Sequence, residues 1–431
     1  MSTTQDLRGQ GGRASFITGD VFDVLATIED GSVDLVLTSP PFLALRSYLP
    51  ADHPDKHREI GSEPDPASFL ATLLALTAEW RRVLAPHGSI CVELGDTYSG
   101  SGGAGGDYNA EGLREGQQKF EGSNSRRGKI VDHDSGRRNP GAGWPLPKSL
   151  CGIPHLYHLS LAYGRNLLTG EPCEPWRVRN VVAWCRPNPP VGALGDKFRP
   201  ATSYLTIACP SGSRYFDLDA VRTMSDRHAR DVANGTATSH GQFGHDDARN
   251  HNHGKSEYAN AGNPAGAPPL DWWEIPTTPY AGAHYAAFPP ALLERPIKSM
   301  VPAKVCTECG EPSRRTQEPN PDYEGRAGGT VNLNDQQGSS LKGIPHKREV
   351  ARATLPGEFS DCGHNTWRPG IVLDPFGGSG TTLAVATGRG HHAIGIDLDP
   401  RNVELARDRV GPMFLDEFTL DQWKNRSEVP S

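Results

Sequence analysis

The amino-acid sequence predicts an α/β protein built on a doubly wound, mostly parallel sheet and carrying loop-rich insertions. Three observations lead there. Short apolar runs alternate along the chain with stretches of helical spacing, the pattern of strands covered on both faces by their connecting helices. One of those runs, Ile371-Val372-Leu373, opens into a Gly-rich turn and a new helix. Three long polar stretches interrupt the alternation and hold too few apolar residues to bury cores of their own.

Taken in order, Val33–Thr38 is an apolar run that stops at Ser39-Pro40-Pro41, a buried strand ended by prolines. Residues 66–84 place Phe69, Leu73, Leu76, Trp80 and Leu84 at helical spacing, and Pro86 is expected to end that helix. Residues 89–92 read as the next strand, and 180–184 and 204–208 as two more. After the strand at 371–373, a helix is expected from Thr381, a strand at 392–396 and a helix at 401–410. The polar stretches are 99–143, rich in Gly, Asn, Ser and Arg; 224–267, rich in His, Asn, Asp and Gly; and 311–359. One interrupted domain therefore runs through 13–98, 151–222, 270–302 and 369–412. Its insertions fall at 99–150, 223–269 and 303–368, and 413–431 is expected as a tail.

The chain has 431 residues, of which 36% are hydrophobic, with 49 Gly and 37 Pro, so a good share must be loop. Its polar start holds no apolar leader and no apolar run is long enough to span a bilayer, so the expectation is a cytoplasmic protein with no membrane contact. Eight Cys without a leader fit a reducing compartment, as thiols or metal ligands. A net charge of −7 weighs against a phosphate-binding surface. Local basic clusters matter more than the total. They occur at Arg126, Arg127 and Lys129, at Arg137 and Arg138, at Arg314 and Arg315, and at Lys347 and Arg348, where each also reads as solvated loop charge.

Two turns carry the chemistry. Asp374-Pro375-Phe376-Gly377-Gly378-Ser379-Gly380-Thr381-Thr382 follows a strand and opens a helix, so glycines admit close backbone approach and the helix start offers free N–H groups. Asp397 ends the following strand, where such folds hold a ribose by its hydroxyls. A nucleotide-type ligand is expected; no Lys follows the glycines as in a phosphate-binding P-loop. The second turn is Ser39-Pro40-Pro41-Phe42. Its prolines make it rigid and poor in donors, so Ser39 and the Pro40 carbonyl can accept from an amino group while Phe42 stacks on a planar base.

Together, in this order, the two turns resemble the β group of DNA amino-methyltransferases, whose catalytic motif precedes the cofactor motif. Other segments fit that resemblance: Thr18-Gly19-Asp20; Glu93 to Tyr98; Arg179 to Pro189; Tyr215-Phe216-Asp217 with Val221-Arg222; and His284 to Pro289. The resemblance implies a Rossmann-like fold with S-adenosylmethionine at the strand ends. Asp374, Phe376, Gly378, Gly380, Thr381, Phe288 and Pro289 would line it, Asp397 would hold its ribose and Asp20 its adenine. Ser39, Pro40, Pro41 and Phe42 would form the catalytic pocket for a base flipped out of double-stranded DNA. A partner restriction nuclease is a further implied partner. Members with Ser before the prolines mostly methylate cytosine N4, and those with Asp or Asn mostly adenine N6, so Ser39 points to N4, with adenine N6 as the alternative. Methylation of RNA or protein and a non-catalytic DNA-binding protein are the rival readings. Cytosine-C5 chemistry needs a reactive Cys after a proline; Pro172-Cys173 exists, but in a Pro-rich loop without the rest of that pattern.

Finally, Cys306-Thr307-Glu308-Cys309-Gly310 has zinc-knuckle spacing, and Cys362-Gly363-His364 could supply the second half of a structural zinc site, pinning both ends of the stretch from 311 to 361. The family resemblance places sequence reading in 224–267, assisted by the insert at 99–143. Deleting 99–143 is expected to lower DNA affinity or relax site choice, measured by binding and by sequencing of modified sites; no change in either makes that insert a spacer.

Overall fold

The computed structural model of the protein describes residues 12–45, 48–49, 52–100, 142–189, 196–223, 266–277, 288–319 and 354–419. Most of the three polar insertions, the basic clusters at 126–138 and 347–348, and His284 to Ala287 lie outside the described residues. No helix among the described residues is long and apolar enough to cross a membrane.

One nine-stranded sheet organises the first of two compact units, residues 1–216, 271–312 and 366–431. Its strands are β1 (Ala14–Thr18), β2 (Val33–Thr38), β3 (Leu84–Leu94), β4 (Arg177–Cys185), β5 (Thr202–Cys209), β6 (Trp272–Glu274), β11 (Ile371–Asp374), β12 (His392–Asp397) and β13 (Phe414–Thr419). They lie in the order β13-β1-β12-β11-β2-β3-β5-β4-β6. Every pair from β13 to β3 is parallel, and β5 runs antiparallel to both of its neighbours. The expected class is therefore the observed one. Two short strand pairs complete the structure: β7 (Val305–Cys306) with β10 (Trp367–Arg368), and β8 (Arg315–Pro319) with β9 (Thr354–Phe359).

Two apolar cores cover the two faces. Helices α1 (Val21–Leu25), α2 (Pro66–Val83) and α3 (Ile153–Tyr163) pack Leu25, Phe69, Leu73, Trp80 and Tyr157 on one face. Helices α4 (Pro290–Met300), α5 (Thr381–Gly388) and α6 (Asn402–Val410) pack Leu292, Ile297, Leu383 and Val403 on the other. Helix α2 begins where Asp65 accepts from the Ser68 N–H at 2.8 Å and Pro66 supplies a helix-ready φ. It ends at Val83, before Pro86: Leu84 is already extended and opens β3, so the proline lies near a strand start instead of stopping a helix. The tail expected from 413 begins as β13, which adds to the β1 edge of the sheet. The second compact unit comprises 217–270 and 313–365. In it β8 and β9 form an antiparallel pair, and Arg315 meets Asp217 at 3.0 Å, so that part of the Arg314-Arg315 cluster is paired charge.

A buried carboxylate fastens the lower end of the central strands. Asp34, near the start of β2 and fully buried, accepts from His87 Nε2 at 2.8 Å, Arg368 at 2.6 Å and the Ile371 N–H at 2.7 Å. Burial alone would raise its pKa, but the hydrogen bonds and charges of His87 and Arg368 together hold it below the ordinary carboxylate value. A depressed carboxylate stabilises the fold above its unfolded pKa, and that contribution is lost as pH falls through the folded one. Asp34→Asn is expected to cost about 3 kcal/mol, because Arg368 loses its buried partner. Denaturant titrations should show the wild-type advantage at neutral pH shrinking below about pH 4; equal stability at pH 7 would remove Asp34 from this role.

Candidate active site at the strand switch point

In a doubly wound sheet, ligands bind beyond the carboxyl ends of the strands where connections leave in opposite directions. That point lies between β11 and β2. From β11 the chain passes through α5 to β12 on one side; from β2 it passes through α2 to β3 on the other. Both sequence motifs leave from these two neighbouring strand ends, although 336 residues separate Thr38 from Asp374.

Asp374 joins them. It is buried, and its Oδ1 accepts from Thr38 Oγ1 at 2.6 Å and from the Phe376 N–H at 3.1 Å, while Oδ2 accepts from Thr382 Oγ1 at 2.5 Å. Burial pushes its pKa up, against the hydrogen bonds it accepts. Expected as a residue lining the cofactor, Asp374 spends both oxygens holding the turn closed and tied to the catalytic strand.

The glycines form a cradle. Gly377 donates to the Ile396 carbonyl at 2.7 Å, and a Cβ there would stand 3.1 Å from the Phe16 ring. Gly380 has φ +74°, and a Cβ on it would meet Ala406 at 2.8 Å. Gly378 donates to Asp397 Oδ2 at 2.8 Å, and the Asp399 N–H to Oδ1 at 2.8 Å. Asp397, expected as the ribose ligand, therefore also organises the turn. Burial raises its pKa to about 6. Across the β1–β12 pair, Thr18 stands opposite Asp397, so Asp20 follows at the neighbouring strand end. The Asp20 carboxylate caps α1, accepting from Phe22 at 3.0 Å and Asp23 at 3.3 Å, with Arg58 3.7 Å away. Phe288 packs against the second core beside Pro289, which caps α4, and Thr381 opens α5 and accepts from Arg409. A glycine-rich turn at a helix start, with carboxylates at two adjacent strand ends, suits an adenosine-bearing ligand with ribose hydroxyls to donate.

On the catalytic side, Ser39 Oγ donates to Glu93 Oε2 at 2.5 Å. Glu93, at the end of β3, is buried, and burial raises its pKa while Ser203, Ser39 and the charge of Arg186 oppose the rise. Arg186 is itself partly buried, stacks 5.0 Å over Trp184 and reaches Ser203 Oγ at 3.4 Å. The Phe42 ring occupies the space over Gly95, where a Cβ would come within 2.6 Å of it. Gly61 packs under Pro41 and accepts from the Ala44 N–H at 2.8 Å, which holds the loop after Phe42. Sequence reading placed Glu93 and Arg186 in flanking segments only. A signal was present: one acidic residue inside the otherwise apolar run 89–94, which a buried strand tolerates only with partners. Cys173, by contrast, lies between α3 and β4, its Sγ contacting the Ser160 carbonyl at 3.7 Å and its thiol pKa raised by burial, neither of which suits a nucleophile.

The profile of the N6/N4 DNA methylase family matches residues 33–304 and 364–408. The chain belongs to this family. The amino-methyltransferase resemblance is thus confirmed, and the protein is a DNA methyltransferase using S-adenosylmethionine. It is 24% identical over 401 residues to the type II methyltransferase M.Cfr9I of Citrobacter freundii, covering 92% of this chain and 87% of that one. It is 25% identical over 404 residues to M.XycI of Xanthomonas campestris pv. cyanopsidis, with the same coverage. Among solved structures it is similar to the cytosine-N4-specific PvuII DNA methyltransferase, with 13% identity, a TM-score of 0.44, and 97% and 93% of the two chains covered. It is also similar to a Thermus thermophilus protein complexed with S-adenosyl-L-methionine, with 16% identity, a TM-score of 0.41, and 94% and 99% covered.

Cofactor affinity in this DNA methyltransferase is expected to depend on Asp397 being ionised, because the carboxylate is the stronger acceptor for ribose hydroxyls. Affinity should therefore rise as pH rises through about 6 and then level off. Asp397→Ala is expected to weaken binding by roughly 2–4 kcal/mol and to abolish that pH dependence. Calorimetry between pH 5 and 8 checks both, and an unchanged variant affinity would take Asp397 out of the site.

Proposed function

We propose that the enzyme methylates the exocyclic N4 of cytosine, at specific sites in double-stranded DNA and on a base flipped out of the helix. The observation that carries the reading is the Ser39–Glu93 contact. Because the Ser39 proton points to Glu93 at 2.5 Å, the lone pairs of Oγ are left for an incoming amino group. The Pro40 carbonyl adds a second acceptor and Phe42 a stacking surface, so the pocket binds a planar ring by its NH₂ edge.

A base amino nitrogen has its lone pair delocalised into the ring, and acceptors on its N–H groups favour localising that pair as the new bond forms. S-Adenosylmethionine supplies a methyl group on a sulfonium, whose sulfur leaves as a neutral thioether. The nitrogen, having formed its bond to carbon, must lose one proton. Ser39 Oγ takes it while passing its own proton to Glu93, so the proton ends on a buried carboxylate, neutralising it, and the raised pKa of that group suits it to accept. Thr38 and Asp374 hold the pocket and the donor's turn in fixed register, and that positioning supplies much of the rate.

Ser39 also carries the choice of base. It is a short, neutral acceptor where the adenine-modifying members mostly place Asp or Asn, and cytosine is the smaller ring. Region 224–267 is assigned the reading of the flanking sequence, in line with the family's arrangement. Ser39→Ala should lower kcat roughly 10²-fold or more with cofactor affinity intact. The acid limb of the kcat profile should lie above the ordinary carboxylate range and disappear in Glu93→Gln, since protonated Glu93 cannot take a proton. Digestion of methylated DNA to nucleosides followed by mass spectrometry decides the base: N4-methylcytosine is expected, and N6-methyladenine alone would overturn the choice.

A further inference from the structure

The family match breaks off at residue 304 and resumes at 364, so Cys306, Cys309 and Cys362 fall outside it and His364 stands at its edge. Those four residues are brought together: three Sγ atoms and an imidazole nitrogen all lie within 4.8 Å of one another. We propose that Cys306, Cys309, Cys362 and His364 bind one structural zinc ion, independently of which base the enzyme methylates.

The local backbone supports a metal knuckle. Cys306 sits on β7, buried, and its carbonyl accepts from the Gly310 N–H at 3.1 Å, closing the Cys-x-x-Cys-Gly turn. Gly310 has φ +72°, a conformation that costs a residue with a Cβ but not glycine. The second arm has the same character: Gly363 has φ +82° and Asn365 φ +57°, and Asp361 Oδ1 accepts from the Gly363 N–H at 2.6 Å. The chain then runs directly into Thr366, whose carbonyl accepts from the Thr307 N–H at 3.0 Å and whose hydroxyl donates to Glu308 at 3.0 Å, and into Trp367, paired with Cys306. Both arms are thus held by main-chain bonds next to the ligands themselves.

The donor set fits zinc. Zn–S bonds of about 2.3 Å and Zn–N bonds of about 2.0 Å put the ligand atoms about 3.5–3.8 Å apart around one tetrahedral ion, so donor atoms that already lie within 4.8 Å of one another reach it by side-chain rotation. Four protein ligands fill a tetrahedral shell and leave no open position, which makes the ion structural and not a Lewis acid for methyl transfer. Three thiolates and an imidazole favour zinc over the hard cations magnesium and calcium. Bound there, the ion would join Cys306 and Cys309 to Cys362 and His364, ligand pairs more than fifty residues apart in the chain.

Full-length enzyme purified without a histidine tag is expected to contain about one zinc per chain by elemental analysis. Cobalt exchanged into it should show tetrahedral d–d bands and thiolate-to-cobalt charge transfer. A strong chelator should lower the thermal midpoint of the wild type, and added zinc should restore it. Cys306 is buried and its loss could unfold the chain, so the decisive variants are Cys309→Ser with Cys362→Ser, which should lose the zinc, and His364→Cys, which should retain it. Metal-free wild-type protein indifferent to chelator would overturn the proposal. So would undiminished zinc in the double variant, or iron with sulfide in place of zinc.

Discussion

The structure depends on how two short neighbouring strands are fastened at both ends. Strands β2 and β11 meet at the switch point, yet only Leu35 with Val372 and Val36 with Leu373 are in register between them. Two buried carboxylates complete the joint reciprocally. Asp34 of β2 accepts from the Ile371 N–H at the start of β11 and from Arg368 of β10; Asp374 of β11 accepts from Thr38 at the end of β2. One strand leads into the proposed catalytic turn and the other into the proposed cofactor turn, so this joint sets the distance between the two turns. Positions far apart in sequence can hold catalytic geometry to a few tenths of an ångström only through such buried, fully partnered groups.

The two ends differ in their electrostatics. Asp34 has cationic partners and a depressed pKa; Glu93, Asp374 and Asp397, all at carboxyl ends of strands, have pKa values raised by burial. The lower carboxylate stabilises the fold, whereas the upper ones are desolvated and oppose ionisation. Strongly perturbed carboxyls gathered at one strand end mark a site arranged for a ligand. The methyl donor is a cation, and its charge is of the sign these groups lack.

Much of this was legible in the sequence, for identifiable reasons. Val33–Thr38 and the Gly-rich turn are dense local signals: an apolar run with a proline stop, and glycines ahead of a helix. What escaped was either short or long-range. Strand β1 has five residues and α1 five, too few for periodicity to register, and β13 lies beyond the last recognisable motif. Pro86 misled because a proline ends a helix and opens a strand equally well. The partners of Asp374 and Asp397 escaped for another reason. An acidic residue after a strand reads as a ligand for the cofactor, and only the fold reveals that its oxygens already hold the turn. The Cys306 and Cys362 arms were readable because cysteine spacing constrains geometry even across more than fifty residues.

Asp397 shows how the stability of this protein is set against its function. A carboxyl whose folded pKa is raised stabilises the fold when protonated, and that contribution is lost as pH rises through about 6. Asp34 behaves oppositely, contributing at neutral pH and failing only in acid. At neutral pH the fold therefore keeps its lower clamp at full strength while carrying an ionised, desolvated Asp397 above. Two backbone N–H groups, from Gly378 and Asp399, lessen that cost without removing it. If Asp397 holds the ribose as proposed, hydroxyls donated to the same carboxylate would add hydrogen bonds that only the ionised form accepts well, so ligand binding would lower its pKa and relieve the cost. By linkage, the ligand stabilises the folded chain more at pH 7 than at pH 5. The desolvated carboxylate at the strand end is thus a group that hydrogen-bond donors would stabilise, and the reciprocal clamp between β2 and β11 offsets its cost to the fold.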